Sequence, residues 1–194
     1  MEIGGFQKFS VLDYPEKTCA IIFTQGCNFN CPYCHNQALI PVKKGEIKEK
    51  DIFAFLKKRK GRLDGVVITG GEPTIQKDLI PFITKIKKEG FLVKLDTNGS
   101  NPNVVKEIID KQLVDFIAMD IKSPYERYNE MTQTKVDIEK IKKSITLIEN
   151  SKIDFLFRTT LYKLNDIDIL EIRKYLKKES KYITQKYKKT VGQE

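Results

Sequence analysis

Short apolar runs alternate with amphipathic segments along nearly the whole chain. The apolar runs predict six β-strands, at residues 19–24, 65–69, 91–95, 115–121, 154–160 and 181–185. Between them, apolar residues recur at three- and four-residue intervals, which predicts helices around residues 51–56, 79–86, 104–109, 138–148 and 169–176. Such an alternation is typical of a parallel sheet built from right-handed βα units.

The number of these units limits the architecture. A closed barrel of eight units needs about 250 residues, whereas this chain has 194. We therefore predict an α/β fold, an open, partial (β/α)6 barrel with a parallel sheet. Residues 1–18 are predicted to form an N-terminal hairpin or arm with a type I turn at residues 14–17, and residues 19–194 a single domain. Ligands of such sheets bind at the carboxyl ends of the strands, so a functional motif should directly follow a strand.

Composition and charge narrow the class of protein. Apolar residues make up 40% and charged residues 31%, which favours a folded globular protein over a disordered one. The chain shows neither an apolar run of bilayer length nor a secretory signal, so we expect a cytoplasmic protein without a membrane partner. The net charge of +9 comes mainly from dispersed lysines, which argues against nucleic-acid binding. Basic runs such as residues 57–60 are interpreted as solvated helix ends or as a docking face for an acidic partner.

Three of the four cysteines form a tight group directly after the first predicted strand. Cys27, Cys31 and Cys34 have the spacing C-x3-C-x2-C, and three thiolates on one loop can hold three corners of a [4Fe-4S] cluster. The alternatives are a zinc site that includes His35 and haem attachment through C-x-x-C-H. Zinc ligands usually come as two separated pairs, and haem attachment requires export. Cys19 lies inside a strand and is interpreted as a small buried hydrophobe.

Polar and glycine-rich motifs follow the next three predicted strands. Gly70-Gly71-Glu72-Pro73 follows the second strand, Asp96-Thr97-Asn98-Gly99 the third, and Met119-Asp120-Ile121-Lys122 the fourth. Each motif alone is weak, because Gly-Gly also forms ordinary turns and Asp-Thr-Asn-Gly ordinary Asx turns. Their common position at strand ends favours a single site.

The cysteine spacing and residues 70–73 resemble the radical S-adenosylmethionine superfamily. Residues 31–36, 96–99 and 119–122 are similar to the activating enzymes of glycyl-radical enzymes, and the opening residues 4–10 and 13–15 to those of anaerobic ribonucleoside-triphosphate reductase. The resemblance covers residues 4–185. It implies that a 5′-deoxyadenosyl radical, formed by reductive cleavage of S-adenosylmethionine, generates a glycyl radical on that reductase.

The resemblance leaves two alternatives for the substrate. In the first, the partner is pyruvate formate-lyase or another glycyl-radical enzyme. In the second, the chain acts on a small molecule, as a 7-carboxy-7-deazaguanine synthase does. An electron donor such as flavodoxin or ferredoxin is implied in each case.

The resemblance also implies roles for individual residues. Cys27, Cys31 and Cys34 would hold the cluster. The residues expected to contact S-adenosylmethionine are Tyr33, Gly70, Gly71, Glu72, Asp96, Asn98, Lys122 and Arg158, with Thr160 as a further candidate. Tyr33 matches an aromatic position beside the adenine, Glu72 an acceptor for the ammonium group, and Lys122 a partner for the methionine carboxylate. The resemblance further implies a monovalent cation bound by Asp96, Thr97 and Asp120. The histidine that follows the last strand in pyruvate formate-lyase activating enzymes has no counterpart, which leaves the carboxylate contact open.

Overall fold

The computed structural model describes residues 1–189 and contains a seven-stranded sheet in which the strands follow chain order. They are β1 (Ile3–Ser10), β2 (Cys19–Thr24), β3 (Gly65–Gly70), β4 (Leu92–Thr97), β5 (Phe116–Asp120), β6 (Asp154–Leu161) and β7 (Tyr182–Lys186). Strands β2 to β7 are parallel, and β1 is antiparallel to β2. Within the described residues β1 and β7 do not pair, so the sheet is open. The predicted α/β partial barrel is therefore confirmed.

Helices follow the parallel strands and cover one face of the sheet. They are α1 (Glu49–Arg59), α2 (Leu79–Lys88), α3 (Pro102–Asp110), α4 (Tyr128–Thr132), α5 (Ile138–Glu149) and α6 (Asp166–Lys174). In α5, for example, Ile141, Ile145 and Ile148 are buried at helical spacing. These residues and alternate residues of the strands form the larger hydrophobic core. Among residues 1–189, none of the helices combines the length and apolarity needed to cross a membrane.

The other face of the sheet carries a smaller apolar cluster, from the amino-terminal halves of the strands and the loop before β2. Its buried members are Tyr14, Cys19, Ile21, Val67, Phe116 and Ala118. Cys19 is fully buried, as predicted, and burial raises the pKa of its thiol to about 11. Because this cluster fills the amino-terminal end of the face, the space available to a ligand lies toward the carboxyl ends of the strands.

The amino-terminal region adds a strand that was not predicted. Residues 1–18 were expected to form a hairpin or arm with a turn at residues 14–17, and Ile3–Ser10 pairs antiparallel with β2 across that turn, as a seventh strand with Phe6 opposite Ile22 and Gln7 opposite Ile21. The strand contains two glycines and two exposed polar residues, Gln7 and Lys8, so it lacks the apolar pattern that marked the others. Its pairing partner is the edge of β2. The short helix α4 was also not predicted.

The turn at residues 14–17 is another correction. Lys17 N donates to Tyr14 O at 3.2 Å, and Glu16, at the third position, has a φ of +59°. A positive φ there is typical of a type II turn, so the predicted type I turn is wrong. The Tyr14 ring is buried and lies 6.2 Å from the Phe116 ring. The anchoring of this side chain thus outweighs the local preference of Glu16.

Candidate active site

A cavity of about 340 Å³ opens at the carboxyl ends of the parallel strands. Its lining includes every residue that the sequence analysis assigned to the site: Cys27, Cys31, Tyr33, Cys34, Gly70, Gly71, Glu72, Asp96, Thr97, Asn98, Asp120, Lys122, Arg158 and Thr160. These residues come from five successive strand ends, and the parallel sheet brings them to the same edge. The structure thus brings them together, and their contacts distinguish what each can do.

Further lining residues had no assigned role. They include Asp13, Phe23, Phe29, Ile40, Thr69 and Gln185. Phe23 and Thr69 could have been found, because the two-residue period of a strand places them on the same face as Ile21 and Val67. Gln185 could also have been found, because it lies at the carboxyl end of the sixth predicted strand, whereas Asp13 carries no such signal, since a loop brings it to the cavity only in the folded chain.

The cysteine loop is held in place by its backbone. Gly26 N donates to Leu39 O at 2.8 Å, and Cys27 N donates to Ile40 O at 3.0 Å. Burial raises the pKa of Cys27 to about 12 and also raises that of Cys31, while the positive charge of Lys122 lowers both. These two thiols therefore favour the protonated form until a bound cation or metal group replaces the proton.

The loop does not fit a mononuclear zinc site. Among the residues that the structure describes, no three His, Cys, Asp or Glu side chains converge on one metal ion. His35 Nε2 instead lies 2.8 Å from Lys188 O. Three thiols that line one cavity without meeting at one point fit a cluster in which each thiolate binds a different iron. The donor set is thus compatible with the predicted [4Fe-4S] cluster.

The glycine turn after β3 packs directly on the cysteine loop. Gly71 N donates to Thr24 O and Glu72 N to Gly26 O, both at 2.9 Å. A Cβ atom on Gly71 would lie 2.0 Å from Gly26 O, and one on Gly70, whose φ is +105°, would lie 2.4 Å from Thr24 N. The resemblance implies that these glycines contact S-adenosylmethionine, which needs a close approach of the backbone. The structure adds a second reason, because the two loops can meet only where no side chain intervenes.

Glu72 is almost fully buried and links two strand ends. Its Oε1 accepts hydrogen bonds from Thr74 N at 3.0 Å, Thr74 Oγ1 at 2.6 Å and Thr97 Oγ1 at 2.7 Å, while Oε2 accepts from Asn98 N at 2.7 Å. Burial raises its pKa, and these hydrogen bonds oppose the rise. The carboxylate therefore first holds the turn after β3 to the end of β4, and only Oε2 has acceptor capacity left for an ammonium group.

Asn98 also serves the protein itself. Its Nδ2 donates to Asn28 Oδ1 at 3.0 Å, and its Oδ1 accepts from Ser100 N at 2.9 Å. The side chain therefore joins the end of β4 to the cysteine loop, a contact that the sequence analysis did not foresee.

Two aspartates and three basic residues form a charged network on neighbouring strands. Arg158 Nε donates to Asp120 Oδ1 at 2.8 Å, and its Nη1 donates to Asp96 Oδ2 at 3.3 Å. Lys122 Nζ donates to Asp120 Oδ2 at 3.1 Å, and Lys94 Nζ donates to Asp96 Oδ1. Burial alone would raise the pKa of Asp120, but Arg158 and Lys122 hold it well below its usual range. Each of the four carboxylate oxygens thus bonds a cationic side chain.

This network does not fit the expected monovalent-cation site. Besides the two engaged aspartates, Thr97 Oγ1 donates to Glu72 and accepts from Gly99 N at 3.1 Å. A bound cation needs several oxygen ligands that are open to it. All the side-chain oxygens of Asp96, Thr97 and Asp120 already have protein partners, so that part of the sequence-based expectation is not supported by the structure.

Tyr33 closes one side of the cavity. Its ring is 4% exposed and stacks on the Tyr162 ring with centroids 4.9 Å apart and an interplanar angle of 26°. Tyr187 meets the other ring of this pair edge-on at 5.2 Å. The Tyr33 hydroxyl is buried at the cavity wall, and its hydrogen bond with the Cys31 thiol opposes the rise in the pKa of Cys31. An aromatic ring in this position is compatible with the predicted adenosyl group.

Comparison with known proteins supports the same chemistry. The model of the Radical SAM superfamily matches residues 21–176. A Methanocaldococcus jannaschii protein, provisionally named a glycyl-radical enzyme activating enzyme, is 37% identical over 195 residues, which cover 95% of this chain and 79% of that protein. The pyruvate formate-lyase-activating enzyme of Listeria monocytogenes is 35% identical over 113 residues, which cover 53% of this chain and 46% of that enzyme.

A solved structure shares the fold. Streptococcus suis SuiB bound to S-adenosylmethionine superimposes with a TM-score of 0.69 at 17% identity, over 87% of this chain and 40% of that one. At this identity the likeness concerns the fold alone. The site residues described above therefore rest on this chain's own geometry.

Proposed function

This chain belongs to the Radical SAM superfamily, and from that premise we propose that it generates a glycyl radical on a partner enzyme, with anaerobic ribonucleoside-triphosphate reductase as the favoured partner. The observation that carries the proposal is the convergence of the three cysteines and the three strand-end motifs on one cavity. The similarity to the Methanocaldococcus protein supports the activating-enzyme class. The opening residues 4–10 favour the reductase as the partner.

The residues of the cavity divide between two cofactors. Cys27, Cys31 and Cys34 would hold the [4Fe-4S] cluster, and Tyr33, with the turn at Gly70, would line the S-adenosylmethionine position. When bound, the reduced cluster would supply the electron for reductive cleavage of S-adenosylmethionine to methionine and a 5′-deoxyadenosyl radical, which would abstract a hydrogen atom from the partner's glycine.

The chain's own residues prepare the site for this chemistry. Burial raises the pKa of Cys27 and Cys31, and the positive charge of Lys122 opposes that rise, which would help the thiolates to form when iron binds. Its Nζ has one hydrogen bond within the described chain, to Asp120, and the two further protons suit a carboxylate of the ligand. The open edge of the sheet between β1 and β7 leaves a path by which a loop of another protein would reach the cavity.

The surroundings of the reaction follow from the same proposal. A reducing compartment such as the cytoplasm suits the thiols, and a small acidic electron carrier, flavodoxin or ferredoxin, suits a chain with a net charge of +9. The Listeria similarity keeps pyruvate formate-lyase as the second candidate partner.

The test is anaerobic. The protein is reconstituted with iron and sulfide, reduced, and mixed with S-adenosylmethionine and either the reductase or pyruvate formate-lyase. We expect 5′-deoxyadenosine together with a glycyl-radical doublet in the electron paramagnetic resonance spectrum of the reductase.

Cys34→Ala should abolish both signals, and Cys19→Ala should keep them. A doublet on pyruvate formate-lyase alone would change the partner, and 5′-deoxyadenosine without a doublet on either would point to a small-molecule substrate. Absence of cleavage by the cluster-loaded protein would overturn the proposal.

A further inference from the structure

The charged network at the strand ends spans three strands. Asp96 lies on β4, Asp120 on β5 and Arg158 on β6, and Arg158 stands directly opposite Asp120 in the β5–β6 register. The Arg158 side chain reaches across β5, because its Nε bonds Asp120 and its Nη1 bonds Asp96. Only a long, forked side chain can connect two carboxylates in this way, and a lysine at the same position offers a single donor atom.

The guanidinium therefore sits between the two carboxylates that a metal ion would have to share. Lys94 and Lys122 bond the remaining oxygen of each aspartate. An added cation would have to displace one of these three cationic side chains and would be repelled by the positive charge of the other two. The third expected ligand, Thr97, already bonds Glu72 and Gly99.

We propose that Arg158 takes the place of a monovalent cation, so that the chain carries its own fixed positive charge between Asp96 and Asp120 and binds no sodium or potassium ion there. Arg158 is a positioning residue in this role. It holds the carboxyl ends of β4, β5 and β6 together at the cavity. The inference concerns the same cavity as the proposed function, but its test does not depend on activity.

The experiment measures cation binding to the purified protein without added cofactors. Thallous ion, a potassium analogue, is titrated and followed by ²⁰⁵Tl nuclear magnetic resonance. Thermal unfolding is compared in potassium chloride and tetramethylammonium chloride at equal ionic strength. For the wild type we expect no saturable thallous binding and the same unfolding temperature in both salts.

Removal of the guanidinium should create the missing site. Arg158→Met leaves Asp96 and Asp120 with free oxygens, so we expect saturable thallous binding. Its unfolding temperature should rise by about 2–4 °C in potassium, the shift for a protein of this size when the ion concentration exceeds its dissociation constant about fivefold. Arg127→Met is the matched control, because it breaks an arginine–aspartate pair of 2.8 Å with Asp168 outside the cavity and should show no potassium effect.

The outcomes separate clearly. Saturable thallous binding by the wild type that Asp120→Asn removes would overturn the proposal, and so would an Arg158→Met variant that folds but shows no potassium preference. If Arg158→Met does not fold, Arg158→Lys is used in its place. We then expect a smaller rise of the unfolding temperature in potassium, because the lysine keeps the charge but bonds one aspartate. Neither result depends on radical formation, so a failure here leaves the proposed function untouched.

Discussion

The two walls of the cavity are built in different ways. The cysteine wall, residues 26–40 with the turn at Gly70 and Gly71, is held by backbone hydrogen bonds and by glycines that leave no room for a Cβ atom. The charged wall, formed by Asp96, Asp120, Lys122 and Arg158, is held by ion pairs between side chains on three strands. The first wall should be sensitive to added atoms and the second to changes in charge. Glu72 joins the two walls, because it bonds the end of β4 from the glycine turn.

The largest expected effect is the loss of a thiol from the cysteine wall. Cys31→Ala should lose the iron–sulfur absorbance after anaerobic reconstitution and all cleavage of S-adenosylmethionine, because one iron would lack its protein ligand. Cys19→Ala, which removes a fully buried thiol of the small apolar cluster, should keep both. A stable cluster in Cys31→Ala would remove this residue from the ligand set.

The next effect tests the close contact between the two loops of the cysteine wall. Gly71→Ala would place a Cβ atom 2.0 Å from Gly26 O, so we expect a loss of about 3 kcal/mol in the free energy of unfolding. The control is Gly61→Ala, where no atom lies within 4 Å but φ is +73°, and where the backbone strain alone should cost about 1 kcal/mol. Urea denaturation of both variants measures the difference. Equal losses would show that steric contact is not the reason for the glycine.

A smaller effect should follow from a change at the junction of the walls. Glu72→Gln keeps the shape of the side chain but directs an amide NH₂ at groups that all donate to the carboxylate, from Thr74, Thr97 and Asn98. We expect a loss of about 2 kcal/mol in urea denaturation. Glu107→Gln, at an exposed i,i+4 pair with Lys111, should change stability by less than about 0.5 kcal/mol. If Glu72→Gln left the free energy of unfolding unchanged, the charge of the carboxylate would not be needed for the fold.

The smallest expected effect is a loss of stability at low pH, and we expect it to come from the charged wall. The pKa of Asp120 is depressed in the folded protein, so the unfolded chain takes up this proton first as pH falls below about 4. The wild type should therefore lose stability as pH falls through this range, and Asp120→Asn should lose less over the same range, although it is less stable at neutral pH. Asp110→Asn, at an exposed pair with Lys106, is the control. Denaturation curves between pH 5 and 3 measure the slopes, and equal slopes for wild type and Asp120→Asn would contradict the assignment.

Much of the site was predictable because its signals are local. The spacing of Cys27, Cys31 and Cys34 and the placement of each motif after an apolar run are visible within a few residues. The parallel sheet then brings all strand ends to one edge, so a correct reading of the strands was sufficient to collect the site. The presence of the strand-end motifs in the cavity therefore followed from sequence, although their bonds and several further lining residues did not.

The sequence by itself determined the six parallel strands, five of the six described helices and the edge of the sheet at which the chemistry would lie. Apolar periods and motif spacings along the chain carry that information. Only the tertiary structure decided that β1 joins the sheet, that Glu16 adopts a positive φ, and that Arg158 reaches Asp96, 62 residues away. These features depend on strand register and side-chain reach between segments distant in the chain, which no local pattern records. For that reason Asp96 and Asp120, which resemble a cation site in sequence, form an arginine-bridged network in the folded protein.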